Sequence, residues 1–359
     1  MRDTITWAEA LRRRTAAGEL VQPLRDGWVR CVACGHTCKI PPGRSGVCQV
    51  RFNEAGTLRV PTGYVAALVC DPIEKKPFYH ALPGTDALSF GMLGCDLHCA
   101  YCQNWETSQA LRDPQALAPP RAANPDDIVA RALQSGASTI ASTYNEPLIT
   151  AEWAVEIFRR AKQHGLRTAF VSNGNGTPEV LEYLRPWLDL YKVDLKSFRD
   201  RAYRQLGGRL DRILDTIPRL VSLGYWVEVV TLVVPGFNDS DAELRDMARW
   251  LAGVSPDIPW HVTAFHRDYR MHDPDDTPVE TLLRAWEIGK REGLRYVYAG
   301  NRPGRVGGRE DTRCHQCDRL LVERWGYNVL RNELRDGRCP GCETPIPGVW
   351  SKLPGDAAA

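Results

Sequence analysis

The sequence predicts an α/β fold built around a TIM-like barrel, with one cysteine-rich module before it and another after it. Three observations predict this. Seven short runs rich in β-branched residues alternate with helix-length apolar-periodic segments between residues 87 and 300, the pattern of βαβ units around a parallel sheet. Roughly six such repeats suit an open or closed barrel better than a doubly wound sheet, and no G-x-G-x-x-G turn after a strand and no P-loop is present. The 12 cysteines fall in four places, at 31–48, at 70, at 95–102 and at 314–342, so chemistry or metal is concentrated at defined points of the chain.

Residues 1–85 read as an N-terminal module. The opening MRDTITWAEALRRRTAAGEL has no apolar core of a signal peptide, and Thr6 to Glu9 reads as a capping box that starts a short amphipathic helix. CVACGHTCKIPPGRSGVC supplies Cys31, Cys34, Cys38 and Cys48, spaced two, three and nine. That spacing differs from the ferredoxin run, so the four thiols read as a zinc site or a second iron–sulfur cluster, with His36 as a substitute ligand. Cys70 in AALVCDP reads as an inert core thiol. DPIEKKPFYH, 71–80, reads as a solvated loop or as a wall of the barrel mouth bearing Lys75, Lys76 and His80.

Residues 86–305 form the barrel region. Its strands are expected at 87–93, 139–144, 167–172, 190–196, 226–235, 259–265 and 295–300, and its helices at 125–136, 147–164, 178–188, 209–223, 240–252 and 278–292. The proline-rich 112–125 is a surface connection. Residues 306–350 read as a zinc-ribbon-like module with two C-x2-C knuckles, Cys314, Cys317, Cys339 and Cys342, joined by a hairpin-forming stretch. Four thiolates satisfy one tetrahedral zinc, and rubredoxin-like iron is the alternative. Residues 351–359 read as a loose tail.

Bulk properties exclude several classes. Of 359 residues, 46 are basic and 44 acidic, and the net charge of +2 with no basic stripe disfavours a nucleic-acid partner. No apolar run reaches the length of a membrane span, so no membrane partner is expected. Clustered thiols at metal-binding spacings fit a reducing, cytoplasmic setting.

The most informative stretch is GMLGCDLHCAYCQNWET, 91–107, which crowds Cys95, Cys99 and Cys102 just after the first predicted barrel strand. Parallel α/β folds carry chemistry at the carboxyl ends of their strands. Three thiolates from one loop fit a cubane cluster with one iron left open to another ligand. The alternative is zinc completed by His98 or a distant residue.

C-x3-C-x2-C with Tyr101 before the last cysteine resembles the radical S-adenosylmethionine superfamily. The resemblance implies a partial (β/α)6 barrel and a [4Fe-4S] cluster on the three cysteines. It implies that one electron cleaves S-adenosylmethionine to methionine and a 5′-deoxyadenosyl radical, which takes a hydrogen atom from a substrate. Other strand ends carry polar residues where such a cofactor needs them. Thr143-Tyr-Asn-Glu-Pro147 stands where the family has Gly-Gly-Glu, so Asn145 and Glu146 are candidates for the methionine ammonium, or else a helix cap. Ser172 and Asn173 resemble a Thr-Asn-Gly stretch near ribose or carboxylate, or form a plain turn. Asp194 and Lys196 lie on one face of a strand, where interior charges are paired or used, and resemble the Asp-x-Lys of glycyl-radical activating enzymes. His266 ends the sixth strand, either structural or facing cofactor or substrate.

With DPIEKKPFYH, CQNW, TYNEP, VDLK and the terminal knuckles, nearly the whole chain resembles the radical protein of the AmmeMemoRadiSam system, within the pyruvate formate-lyase-activating-like group. That resemblance implies an electron donor such as flavodoxin or ferredoxin, system partner proteins and an unnamed substrate. Three functions stay open: radical chemistry on a protein, such as formation of a glycyl radical, radical chemistry on a small molecule, or a non-catalytic zinc or iron scaffold.

Overall fold

The structure, a computed structural model, describes residues 11–352. The capping box at 6–9 and residues 353–359 of the tail lie outside the described residues. An eight-stranded sheet forms the centre: β1 (Ala67–Pro72), β2 (Asp86–Gly91), β3 (Thr139–Ser142), β4 (Arg167–Ser172), β5 (Leu190–Asp194), β6 (Trp226–Val233), β7 (Trp260–Ala264) and β8 (Val297–Gly300). β2 to β8 pair in parallel with sequential neighbours, and β1 adds antiparallel to β2. The order runs linearly from β8 to β1, so the barrel is open between these two edges. All seven predicted strands are present, and each crossover carries a helix, as a right-handed βαβ series requires.

The helices start where capping chemistry places them. α1 (Pro125–Gln134) and α2 (Ala151–Gln163) follow β2 and β3, and α3 (Pro178–Leu184) follows β4. α4 (Leu210–Ser222), α5 (Asp241–Val254) and α6 (Val279–Arg291) complete the outer layer. The side chains of Asn124, Thr177 and Ser240 accept from the N–H three residues on, and proline follows the first two caps. Strands buried on both faces, such as β3 and β7, read as continuous apolar or β-branched runs because helices cover one side and core fills the other.

Two expectations are corrected here. The stretch holding Cys70 is the edge strand β1, with Cys70 opposite Leu88. Its side chains are half-buried or exposed along its length, so no period-2 pattern announced it. His80 does not line the mouth. It is fully buried near the strand starts, stacked on Trp226, with Nδ1 against the Pro347 carbonyl at 2.7 Å and Nε2 against the Tyr298 hydroxyl at 2.6 Å.

The open edge is bridged from the C-terminal module. Its hairpin consists of β9 (Leu320–Trp325) and β10 (Asn328–Asn332). Buried Arg324 of β9 donates to the Tyr79 carbonyl at 2.8 Å and lies over the Tyr79 ring at 4.3 Å, and Thr312 bonds Tyr298 of β8 at 2.9 Å. The N-terminal module is pinned to α2 by a buried two-point pair between Arg51 and Glu152, 2.7 Å at each contact.

Two outcomes test this architecture. Burial lowers the His80 pKa from 6.5 to about 4, so the neutral ring is the folded form. The unfolded chain then binds the extra proton, and stability falls as pH drops from about 6.5 toward 4, by about 2 kcal/mol between pH 7 and 5. Urea unfolding of His80→Gln should lose that part of the pH dependence. At the mouth, a Cβ on Gly91 would stand 2.6 Å from the Thr143 carbonyl oxygen, whereas one on Gly253 meets nothing within 4 Å. Gly91→Ala should cost about 1–3 kcal/mol in the same assay, and Gly253→Ala should cost nothing.

Candidate functional site

The cysteine loop leaves the carboxyl end of β2 through Gly94, which has a positive φ of 95° and is packed so closely that a Cβ would lie 2.9 Å from Val50 Cγ1. The loop then folds onto the barrel rim. The Leu97 N–H donates to Cys95 Sγ at 3.4 Å, the His98 N–H donates to the Leu206 carbonyl at 2.9 Å, and Cys102 Sγ meets Ser108 Oγ at 3.1 Å. Leu97, Cys99 and Tyr101 are buried with Leu206, Val234 and Phe265 in an apolar cluster of their own. Tyr101 packs edge-on against Phe237 at 5.8 Å.

Burial raises the pKa of all three thiols, that of Cys99 to about 12 with Lys196 pulling the other way. A cation that displaces the protons is therefore what makes them thiolates. Among the described residues, the ribbon cysteines form the single set of three or more metal-type ligands whose atoms all lie within 4.8 Å of one another. Cys95, Cys99 and Cys102 do not all lie within that distance of one another. Ligands of a cubane bind different irons and need no such close approach, so the donor set fits an iron–sulfur cluster.

Beside the loop opens a cavity of about 950 Å³. Cys99, Cys102, Tyr101, Asp194, Lys196 and His266, all singled out from sequence, line it. Its floor includes β5, where period-2 spacing sets Lys192, Asp194 and Lys196 on one face. Lys192 Nζ donates to one Asp194 oxygen and Lys196 Nζ lies 3.3 Å from the other. Burial opposes the carboxylate, but the two ammonium groups outweigh it and hold Asp194 below the ordinary carboxylate value. Lys192 was missed from sequence, although it lies two residues before Asp194 on the same face. His266 is exposed at the rim, its Nδ1 near the Arg267 carbonyl at 3.1 Å.

Asn145, Glu146, Ser172 and Asn173 stand elsewhere. They lie behind the cysteine loop, buried and engaged with one another, and do not line the cavity. Glu146 caps the short helix Pro147–Thr150 by accepting from the Leu148 N–H, and it also accepts from Ser172 Oγ at 2.7 Å and the Asn173 N–H at 2.8 Å. Burial, reinforced by nearby Asp96, raises the Glu146 pKa to about 8 against these hydrogen bonds. Asn145 Oδ1 accepts from the Met92 N–H at 2.9 Å, which fixes the start of the loop. The residues facing the cavity at this strand end are Thr143 and Tyr144, the latter with φ 69° and its hydroxyl 3.1 Å from Lys76 Nζ. Asp96 was also missed. Its buried carboxylate accepts from Asn173 Nδ2 and Asn175 Nδ2, each at 2.7 Å. The available signal was an acid inside the C-x3-C spacing.

The other cysteines differ in geometry. Cys314 and Cys342 sulfurs are 3.6 Å apart, as are Cys317 and Cys339, a four-thiol nest that suits one metal ion. Cys31, Cys34 and Cys48 are buried and Cys38 half-buried, but they do not form such a nest. His36 Nε2 lies 3.1 Å from the Asp96 carbonyl oxygen.

Comparison with known proteins agrees with this geometry. The model of the radical SAM superfamily matches residues 91–251. An uncharacterized protein of Methanocaldococcus jannaschii is 35% identical over 329 residues, covering 90% of this chain and 97% of the relative. The pyruvate formate-lyase-activating enzyme of Clostridium pasteurianum is 24% identical, over 53% of this chain and 84% of its own. The pyruvate formate-lyase 1-activating enzyme of Escherichia coli is 23% identical, over 60% of this chain and 93% of its own. With the cysteine loop at the end of the first parallel strand and an open barrel behind it, residues 91–251 of this chain belong to the radical S-adenosylmethionine superfamily, and the chain is similar to the pyruvate formate-lyase-activating enzymes over somewhat more than half its length.

Proposed function

We propose that the chain binds a [4Fe-4S] cluster through Cys95, Cys99 and Cys102 and S-adenosylmethionine in the adjoining cavity. The observation that carries this reading is the opening of the cysteine loop onto that cavity, Cys99 and Cys102 lying in its wall. When bound, the cluster supplies the electron that splits the sulfonium of S-adenosylmethionine and so yields the 5′-deoxyadenosyl radical. The protein's part is to hold and shield. Lys192 and Lys196 offer cationic donors to the methionine carboxylate, with Asp194 fixing their positions. Tyr101, backed by Phe237, keeps one wall apolar and excludes water from the reacting end. Thr143 and Tyr144, not Asn145 and Glu146, are the cavity-facing groups for the methionine ammonium. Glu146, Ser172, Asn173 and Asp96 act as positioning residues behind the loop.

The hydrogen donor is a partner protein or a small molecule. The likeness to activating enzymes favours a protein, and formation of a glycyl radical is the form that likeness suggests. On this reading the reductant is a flavodoxin or ferredoxin. The four-thiol nest at Cys314, Cys317, Cys339 and Cys342 holds zinc and keeps the hairpin over the open edge. Placement in the AmmeMemoRadiSam branch, with its system partners, belongs to the same proposal.

Anaerobic assay with S-adenosylmethionine and dithionite tests it. Wild type should release 5′-deoxyadenosine, and Cys99→Ala should release none while retaining its zinc. Product from the Cys99→Ala protein would overturn the assignment. A second measurement addresses the floor. Asp194→Asn leaves two buried ammonium groups facing each other and should cost roughly 3–5 kcal/mol in urea unfolding. Lys192→Met in the same chain should recover part of that loss. Weaker S-adenosylmethionine binding by Lys196→Met, with unchanged unfolding, separates a ligand contact from a structural ion pair.

A further inference from the structure

The thiols of the N-terminal module have no part in the function proposed above, yet they are built as a site. Cys31 closes the short strand Val29–Cys31, and its N–H donates to the Cys38 carbonyl at 2.9 Å, turning the intervening chain back on itself. Thr37 and Gln49 take left-handed backbone conformations, φ 43° and 65°, on either side of the turn-rich 38–48 segment. Gly46 packs against Cys38, where a Cβ would lie 3.4 Å from its Sγ. Cys31, Cys34 and Cys48 are each 5% exposed. The thiols lie near enough to act on one another: Cys31 bears electrostatically on each of the other three.

The spacing of the sulfurs favours one of the two metals open from sequence. Tetrahedral zinc with Zn–S near 2.3 Å requires sulfurs roughly 3.8 Å apart. The ribbon meets this with 3.6 Å pairs, all four atoms within 4.8 Å. Among Cys31, Cys34, Cys38 and Cys48, no three sulfurs fall within 4.8 Å of one another. In this they match Cys95, Cys99 and Cys102, not the ribbon.

A second observation points the same way. Arg51 is 1% exposed, and its two terminal nitrogens are taken by Glu152 and the Ile149 carbonyl. Its Nε has no hydrogen-bond partner, and the guanidinium lies beside Cys31 and Cys48. A buried N–H without an acceptor is costly. Sulfide or thiolate of a cluster carrying net negative charge would supply that acceptor.

We propose that Cys31, Cys34, Cys38 and Cys48 hold a second [4Fe-4S] cluster, one thiolate to each iron, next to the cluster loop. The neighbourhood is direct. A Cβ on Gly94, the residue before Cys95, would lie 3.2 Å from the Cys48 carbonyl oxygen. Arg112 joins the two loops by donating to the carbonyls of Val47 at 2.7 Å and Leu97 at 3.0 Å. His36 reaches the Asp96 carbonyl from the other side. The site itself stands independently of what Cys95, Cys99 and Cys102 bind.

The test uses the full chain, reconstituted anaerobically with iron and sulfide, and compares wild type with Cys95→Ala/Cys99→Ala/Cys102→Ala. Wild type should carry about eight irons and about one zinc, and the triple variant about half that iron with the same zinc. Dithionite, giving one electron to each cluster, should produce in the triple variant a cluster resonance that S-adenosylmethionine does not alter. In wild type, two neighbouring reduced clusters should give a spectrum broadened beyond the sum of separate signals. About four irons and two zincs in wild type, with no iron in the triple variant, overturns the proposal. Equal iron in the two proteins refutes instead the cluster on the 95–102 loop and leaves the N-terminal site standing. Cys31→Ser/Cys34→Ser does not decide the matter alone, since the module could unfold. The triple variant leaves that module intact.

Discussion

The buried carboxylate of Asp96 is the constraint on which the site depends. It sits between the first two cysteines of the loop, and both its oxygens accept from asparagine side chains beyond β4. A charge placed there without partners would be expelled, so the loop adopts the one course that satisfies it. Asn173, one of those partners, also gives its backbone N–H to Glu146, and Ser172 donates to the same carboxylate. Asp96 and Glu146 thus form two adjacent acidic groups held by one set of donors. The strand ends of β3 and β4 and the cysteine loop are locked as a unit. The left-handed Tyr144 and the glycine at 91 are local consequences of how tightly these pieces meet.

The open sheet poses a second demand. A barrel that stops at β8 exposes the edges of β8 and β1, which would otherwise pair with other chains. Here the gap is filled by aromatic and ionic groups from three segments: Tyr79 after β1, Tyr298 of β8, and Arg324 of the hairpin. Glu228 and His261, buried and 2.7 Å apart, extend this network to the cavity, which His261 lines, with Glu228 also accepting from the Tyr79 and His80 N–H groups. The same hairpin carries Trp325, Tyr327 and Asn328 to the cavity wall, and the Tyr327 hydroxyl bonds Asn301 at 3.1 Å. The C-terminal module therefore couples closure of the barrel's side to the shape of its mouth.

Much of this was legible in the residues. The seven parallel strands stood out because burial on both faces demands unbroken β-branched runs, and the cysteine loop stood out because its spacing is rare. Asp194 and Lys196 were visible through period two, and Lys192 was visible by the same rule had the face been followed one step back. What stayed hidden depends on tertiary partners. β1 has no alternating pattern because a half-covered edge strand needs none. Asn145, Glu146, Ser172 and Asn173 sit at the expected strand ends, but sequence does not say whether a polar side chain points at a ligand or at another side chain. Nothing in the sequence around Arg51 marks its partner, Glu152, 101 residues away.

The three cysteine sets separate by geometry, and geometry tracks position. The compact ribbon set lies on the module that shapes the open edge, where a four-coordinate ion would stiffen the hairpin. The two wide sets lie on either side of Asp96, one against the cavity and one behind it. A carboxylate between them repels added negative charge on both. Asn173 and Asn175, neutral donors, hold that carboxylate in place without cancelling its charge. Arg51 and Lys196 supply the nearest counterbalance, one facing each set. The charge arrangement thus distinguishes the two wide sets: Arg51 is already neutralised by Glu152, whereas Lys196 shares Asp194 with Lys192 and leaves positive charge in excess at the cavity. That excess favours an anionic ligand group at the loop, whereas behind it Arg51 offers only the Nε–H that Glu152 and Ile149 leave unpaired.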